Sequence, residues 1–447
     1  MPASNFGFTF RLSRKLSVIF LCALAASDGQ SKKSMAPAVS APAQQAAAVP
    51  KPPSYERELE GLTAGIERGI RLSAEQPNDG LLPLEIVSVY LDRARLTGNY
   101  DDYKRAESLL EQERNRPSKP GNACLAHAKL HYTLHRLKRA SAALGECPGT
   151  VEKIEIAALW ADIAFYSGRY KEAEATYRAL VNQVGLPAHF IRLAQLRNKM
   201  GAPGEAAAFL EAAEKRYHGG SAPMQAWLKL QRGLISLDRG RLDEALALYR
   251  LAEDALPGWW LIEEHIAEVK ALTGDARDAR DARTLYENVI RKTQAPEYLD
   301  ALAKIELKEG RAEAAQKLTA QARALYEERL TAFPEAAAGH ALDHFLQDAA
   351  NPQRALALAQ KNFETRPYGD AAIALAKAWL LNGKPNLALP VLEAQRTNGW
   401  DTAELYWTLT ETVERLADSR RAAQLKQEAL RRNPQSAKMY AVPAIGN

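Results

Sequence analysis

The chain has 447 residues, 47% of them hydrophobic, with 59 basic and 54 acidic side chains for a formal charge of +5. Arg11, Arg14 and Lys15 stand in the first fifteen positions without an acid near them, so the remainder carries 56 basic against 54 acidic groups. No stripe of Lys and Arg with interleaved aromatics runs through that remainder, which argues against a nucleic-acid partner. Ala and Leu dominate, β-branched residues are sparse, and Gly and Pro recur at intervals, which predicts helices joined by short turns and an all-α fold.

Residues 1–26 read as a secretory signal, with a basic start ending at Lys15, an apolar run from Leu16 to Leu24, and small residues at Ala23, Ala25 and Ala26. The run is too short to remain as a membrane-spanning helix. Cleavage is expected after Ala25 or Ala26. A lipoprotein would place Cys after the small-residue segment, but Ser27 follows Ala26, and Cys22 is preceded by the bulky Phe20-Leu21. A soluble exported chain, periplasmic or secreted and without a membrane span, is therefore expected, with an uncleaved anchor as the alternative. Residues 27–54, rich in Ala, Pro, Ser and Gln, cannot bury a core and are expected to be a disordered linker.

From Tyr55 to Pro434 one pattern returns: an apolar stretch, a turn residue, Ala five positions later, a large residue four after that, and often a closing Pro. Gly240, Ala245, Tyr249, Ala252 and Pro257 give the cleanest copy. Small Ala lets two helices approach closely, the large residue fills the groove beside it, and Pro stops the helix. The frame recurs from Gly168, Gly201 and Gly383, from Ala350 without the glycine, and more weakly around His135, Gly310 and Asp418, while Gly98 and Gly274 reach Ala106 and Ala282 three residues late. Ten turns from Gly98 to Asp418 lie about 36 residues apart on average.

The Gly-x-x-x-x-Ala-x-x-x-Tyr frame and its period resemble the tetratricopeptide repeat family, whose unit is a helical hairpin of about 34 residues. The resemblance implies a right-handed α-solenoid of about ten hairpins over 55–434, a short tail over 435–447, and a concave inner surface that binds peptides or partner subunits. Exported bacterial members are implied to act as scaffolds or accessory subunits.

Cys124 and Cys147 are the cysteines that remain beyond the signal. They straddle the turn at His135 symmetrically, so an antiparallel hairpin brings them together, as a disulfide in an oxidising compartment or otherwise as two buried thiols. His127 and His131, at i and i+4 on the same helix, form a weak metal candidate, and their place at packing positions between helices is the better explanation. In the frame of the Gly240 repeat, Trp227, Leu230 and Leu234 occupy concave positions, and the next repeat brings Leu261, Glu264 and Glu268 there. His340 and His344 hold the same positions further on. Trp227, Leu230, Leu234, Glu264, His340 and His344 are accordingly the expected partner-binding residues, with core packing as the competing role and metal binding by the His340/His344 pair as a further one. Trp259 and Trp260 are expected to plug a step between hairpins.

There is no Walker A loop, no dinucleotide-binding glycine pattern, no HExxH, no CxxC and no GxSxG. No enzyme activity and no cofactor are expected. The sequence points to a non-enzymatic scaffold of the bacterial cell envelope holding other proteins or peptides, the alternatives being a periplasmic metal-handling protein and an accessory subunit of an envelope polysaccharide or oxidoreductase system.

Overall fold

The computed structural model describes residues 52–114, 123–149, 151–348 and 350–440. The expected signal over 1–26 and nearly all of the linker lie outside the described residues. Among them there are helices and no strands, and no helix is long and apolar enough to cross a membrane.

Helix α1 (Tyr55–Glu75) leads into ten hairpins: α2/α3 (Leu82–Thr97, Tyr100–Arg114), α4/α5 (Ala123–Thr133, Leu137–Gly145), α6/α7 (Lys153–Tyr166, Tyr170–Gln183) and α8/α9 (Pro187–Lys199, Pro203–Arg216). There follow α10/α11 (Ala222–Asp238, Leu242–Ala255), α12/α13 (Trp260–Thr273, Ala276–Thr293) and α14/α15 (Pro296–Lys308, Ala312–Ala332). The last three are α16/α17 (Pro334–Asp343, Pro352–Thr365), α18/α19 (Gly369–Leu381, Pro385–Thr397) and α20/α21 (Ala403–Arg415, Ser419–Arg432). α16 runs on as a π-turn over His344–Asp348. The segment expected to be a tail begins instead with α22 (Ser436–Tyr440), which buries Ser436, Met439 and Tyr440.

Each of the ten turns falls where the sequence punctuation places it, and the all-α solenoid of tetratricopeptide-like hairpins is the fold of the chain. Seven turns use a left-handed glycine, among them Gly168, Gly201 and Gly240. The turn at His135 puts the histidine itself in that conformation at φ 58°, and the turn before Asp418 uses Ala417 at φ 63°. Asp418 caps α21 instead, its carboxylate accepting from the Arg421 amide at 3.1 Å. The alanines of the frame, Ala106, Ala140, Ala173, Ala206, Ala245, Ala282, Ala355 and Ala388, are without solvent exposure. At Gly233 the approach is closer still, since a Cβ there would meet the Tyr249 ring at 2.3 Å.

The first helix of each hairpin lies inside and the second outside. Helix α12 buries twelve of its fourteen residues, whereas α13 buries the single stripe of Ala282, Tyr286 and Val289. One stripe suffices for a helix packed on one side; burial all round requires neighbours on every side. Those neighbours include a second turn of the spiral. Hydrogen bonds join residues 163, 196, 199 and 230 positions apart: Trp259 to the Leu96 carbonyl, Asn433 to the Leu237 carbonyl, the Gly369 amide to the Tyr170 hydroxyl, and Asn398 to the Gly168 carbonyl. The chain therefore comes round onto itself after roughly five or six hairpins, and the turn glycines are where the later coil lands. A Cβ on Gly201 would meet Asp401 at 2.1 Å, and one on Gly240 would meet Asn433 at 2.3 Å.

Candidate functional site

Stacking the coils has a consequence for the surface that the sequence marks as concave. Trp227 and Leu230 are 0% exposed, Glu264 1%, His340 2% and His344 0%. These five side chains are interior, which corrects the expectation that they face a partner from an open groove. Leu234 is half-buried and lines a cleft described below. The reason is geometric: a solenoid presents its inner helices to solvent only while its coils stay apart, and here they touch.

The inner helices carry ionisable groups into that interior, where each must be paired or neutral. On α6 and α8, Asp162 accepts from the Arg192 guanidinium at 3.1 Å and from the Tyr177 hydroxyl at 2.7 Å. On α14 and α16, His344 Nδ1 lies 3.0 Å from Asp300 and His340 Nδ1 lies 3.3 Å from Glu297, which also accepts from Arg329 at 3.1 Å. Burial pushes the Asp300 carboxyl well above the usual carboxylate range, against the pull of Lys304. His340 and His344 thus face separate carboxylates and do not converge on one another.

On α12, Glu264, His265 and Glu268 form a third group. His265 Nε2 is 3.1 Å from Glu264 and its Nδ1 is 3.6 Å from Glu268. The Tyr249 ring stacks on the imidazole at 5.4 Å between centroids. Burial and then the neighbouring Glu268 and Glu297 hold the Glu264 carboxyl well above its ordinary range. Sequence reading marks Glu264 and Glu268 as inner positions but passes over His265, whose placement beside them follows from its position one residue on in the same helix.

At α4/α5, Cys124 and Cys147 stand with their sulfurs at bonding distance, 2.11 Å, and their Cα atoms 5.4 Å apart across the open end of the hairpin. His127 and His131 lie behind them with ring centroids 6.1 Å apart, both buried. Burial, reinforced by Arg136, pushes His131 down to about 4, so that both rings pack as neutral groups. Among the described residues no carboxylate or thiolate completes this pair as a three-donor group; Glu264, His265 and Glu268 are the group that does so.

Where the coils meet, two adjoining hollows of about 250 and 70 Å³ form a cleft whose shared lining is Asn198, Lys199, Asp238, Tyr368 and Asp370. Lys199 spans the coils, 3.1 Å from Asp370 and 5.5 Å over the Trp400 ring. Burial disfavours its charge, but Asp370 and Asp238 outweigh burial and raise its pKa. Arg239, Arg431, Arg432, Asp401 and Glu404 also line the larger hollow, Arg432 paired with Asp401 at 2.6 Å. Trp259 and Trp260, expected as plugs between adjacent hairpins, also reach the previous coil: Trp260 meets Tyr298 of the next hairpin at 5.9 Å, and both indole nitrogens donate to the Leu96 carbonyl at 3.1 and 2.8 Å.

No known family model matches the sequence, and no curated protein matches it. Among solved structures, the chain is similar to a tetratricopeptide repeat protein of Parabacteroides merdae, at 18% identity over 55% of this chain and 93% of that one, with a TM-score of 0.33. It is similar to PilF of Pseudomonas aeruginosa at 14% identity over 49% and 94%, TM-score 0.37, and to yeast Tom70 at 16% over 86% and 91%, TM-score 0.41.

Proposed function

We propose that the chain is a non-enzymatic scaffold exported to the cell envelope, which holds a segment of a partner protein in the cleft between its two coils. The observation that carries this reading is the cleft itself: the inner surface is filled by the protein's own side chains, while the hollow beside Lys199 and Tyr368 remains open and lined by both signs of charge. Such a lining suits a peptide backbone with mixed side chains better than a uniformly charged polymer. Arg239 lines the hollow and has no ion pair among the described residues.

The double substitution Arg239→Glu and Arg431→Glu is expected to weaken capture of a defined set of envelope proteins by roughly tenfold or more, with the helical circular dichroism unchanged. Equal recovery by the variant and the parent would place the binding surface elsewhere.

Export is supported by the pattern over residues 1–26 and by the placement of Cys124 and Cys147, since disulfides persist in oxidising compartments. Unreduced, denatured protein from the envelope fraction is expected to yield no reactive thiol from these two positions, and two free thiols would refute the pairing. Closing a loop of 23 residues is expected to contribute about 3 kcal/mol, read as a lower urea midpoint after reduction.

A further inference from the structure

We infer that Glu264, His265 and Glu268 form a binding site for one divalent transition-metal ion, held inside the spiral on the face that α12 turns towards α11, α13 and α14. The three side chains each offer one donor atom, and those atoms lie within 4.8 Å of one another. Metal–ligand bonds of about 2.0–2.2 Å place ligand atoms roughly 3–4 Å apart, so one imidazole nitrogen and one oxygen of each carboxylate, already within 4.8 Å of one another, need only small side-chain rotations to close on a single ion. The spacing comes from one helix: Glu264 and Glu268 are a turn apart at i and i+4, and His265 lies between them at i−3 from Glu268.

Two further observations point to a ligand. Glu264 Oε2 is fully buried with no hydrogen-bond partner, although the other oxygen of the same carboxylate meets His265. The hydroxyls of Tyr286 and Tyr298, on α13 and α14, are also buried without partners, and both rings lie within electrostatic reach of Glu264. A buried carboxylate oxygen and two buried phenols left unsatisfied around the same acid are costly unless something polar sits among them. The nearby acids with cationic partners are satisfied differently: Glu263 pairs with Lys292 at 2.8 Å and Glu297 with Arg329 at 3.1 Å.

One imidazole and two carboxylates suit zinc or manganese better than a soft cuprous ion, which prefers sulfur, or calcium, which prefers six or more oxygens. With Tyr286 and Tyr298 close by, the ion would tie α12 to the following hairpin, so its role would be to fix the curvature at this point of the spiral. The site differs from the His127/His131 and His340/His344 pairs, neither of which gathers a third donor.

The test uses the full mature chain, purified without a histidine tag, incubated overnight with a slight excess of zinc sulfate, passed through a desalting column and assayed for metal. One zinc per chain is expected, together with a higher thermal midpoint than the chelator-treated protein. Glu268→Gln, which keeps the side-chain volume, is expected to lower zinc affinity about 100-fold, while His127→Gln with His131→Gln leaves one equivalent bound. Cobalt in place of zinc should give the intense visible bands of a tetrahedral site in the parent protein, which keeps the proposal open to refutation even where Glu268→Gln fails to fold. Absence of stoichiometric metal and of the cobalt bands in folded protein would overturn it, leaving His265 as a hydrogen-bonded histidine between two glutamates.

Discussion

Trp400→Ala is expected to destabilise the protein by about 3–5 kcal/mol, the range for removing a large aromatic from a packed core, and to open the spiral. The indole is fully buried at the seam between coils: it meets Tyr170 at 5.4 Å and Phe165 at 6.0 Å on the earlier coil, and Tyr368 at 6.0 Å beside it on the later one. Gly369 leaves room for it, since a Cβ there would stand 2.0 Å from the ring. In a solenoid each hairpin depends mainly on its neighbours in sequence, so losing the seam need not unfold the hairpins themselves. The expected signature is therefore double: a lower urea midpoint with transitions that no longer coincide between probes, and a larger radius of gyration by small-angle scattering. Leu251→Ala, at a side chain that is exposed on α11, serves as the control and should change neither. An unchanged radius of gyration with Trp400→Ala would mean that the coils are held elsewhere.

The hairpins were legible because their determinants are local. A left-handed glycine, an alanine five residues on and a large side chain a turn later lie within one window of sequence, and each acts on the residues beside it. The closure of the spiral was not legible, because it accumulates from small rotations at every hairpin and shows only in partners some 200 residues apart, such as Gly369 and Tyr170 at a separation of 199. Trp227 and Leu230 illustrate the difference: both lie on the first helix of their hairpin, yet whether that helix faces solvent or another coil depends on pitch. Trp259 and Trp260 carried a usable signal, since two adjacent large rings after Pro257-Gly258 exceed what one hairpin step can bury, and the surplus is taken up by α2. The approach of Cys124 and Cys147 was legible for the same reason as the turns, their midpoint falling between His135 and Arg136.

Asp162→Ala tests a feature shared by several repeats, in which a tyrosine of the outer helix reaches a polar group on the inner one. Tyr177 donates to Asp162 at 2.7 Å, Tyr249 stacks on His265, and Tyr326 donates to Asp300. In the Ala173–Tyr177 repeat the spacing sets both packing and pairing: the alanine admits the inner helix, and the tyrosine delivers its hydroxyl to Asp162. Asp162 has a second role, because Arg192 is interior and its next carboxylate, Glu155, stands 3.9 Å away. Removing the acid takes away the closest carboxylate of a buried guanidinium, and breaking such a pair from one side costs about 3–5 kcal/mol. Asp162→Ala is therefore expected to lose far more stability than Tyr177→Phe, which forfeits one hydrogen bond to a charged group, about 1.5–3 kcal/mol. Removing both charges with Asp162→Leu and Arg192→Met should recover much of the loss, since two apolar side chains of similar bulk leave no unpaired ion. The comparison is read from urea midpoints of the four proteins, and a double variant no better than Asp162→Ala would show that the pair contributes shape to this part of the spiral beyond the neutralisation of its own charges.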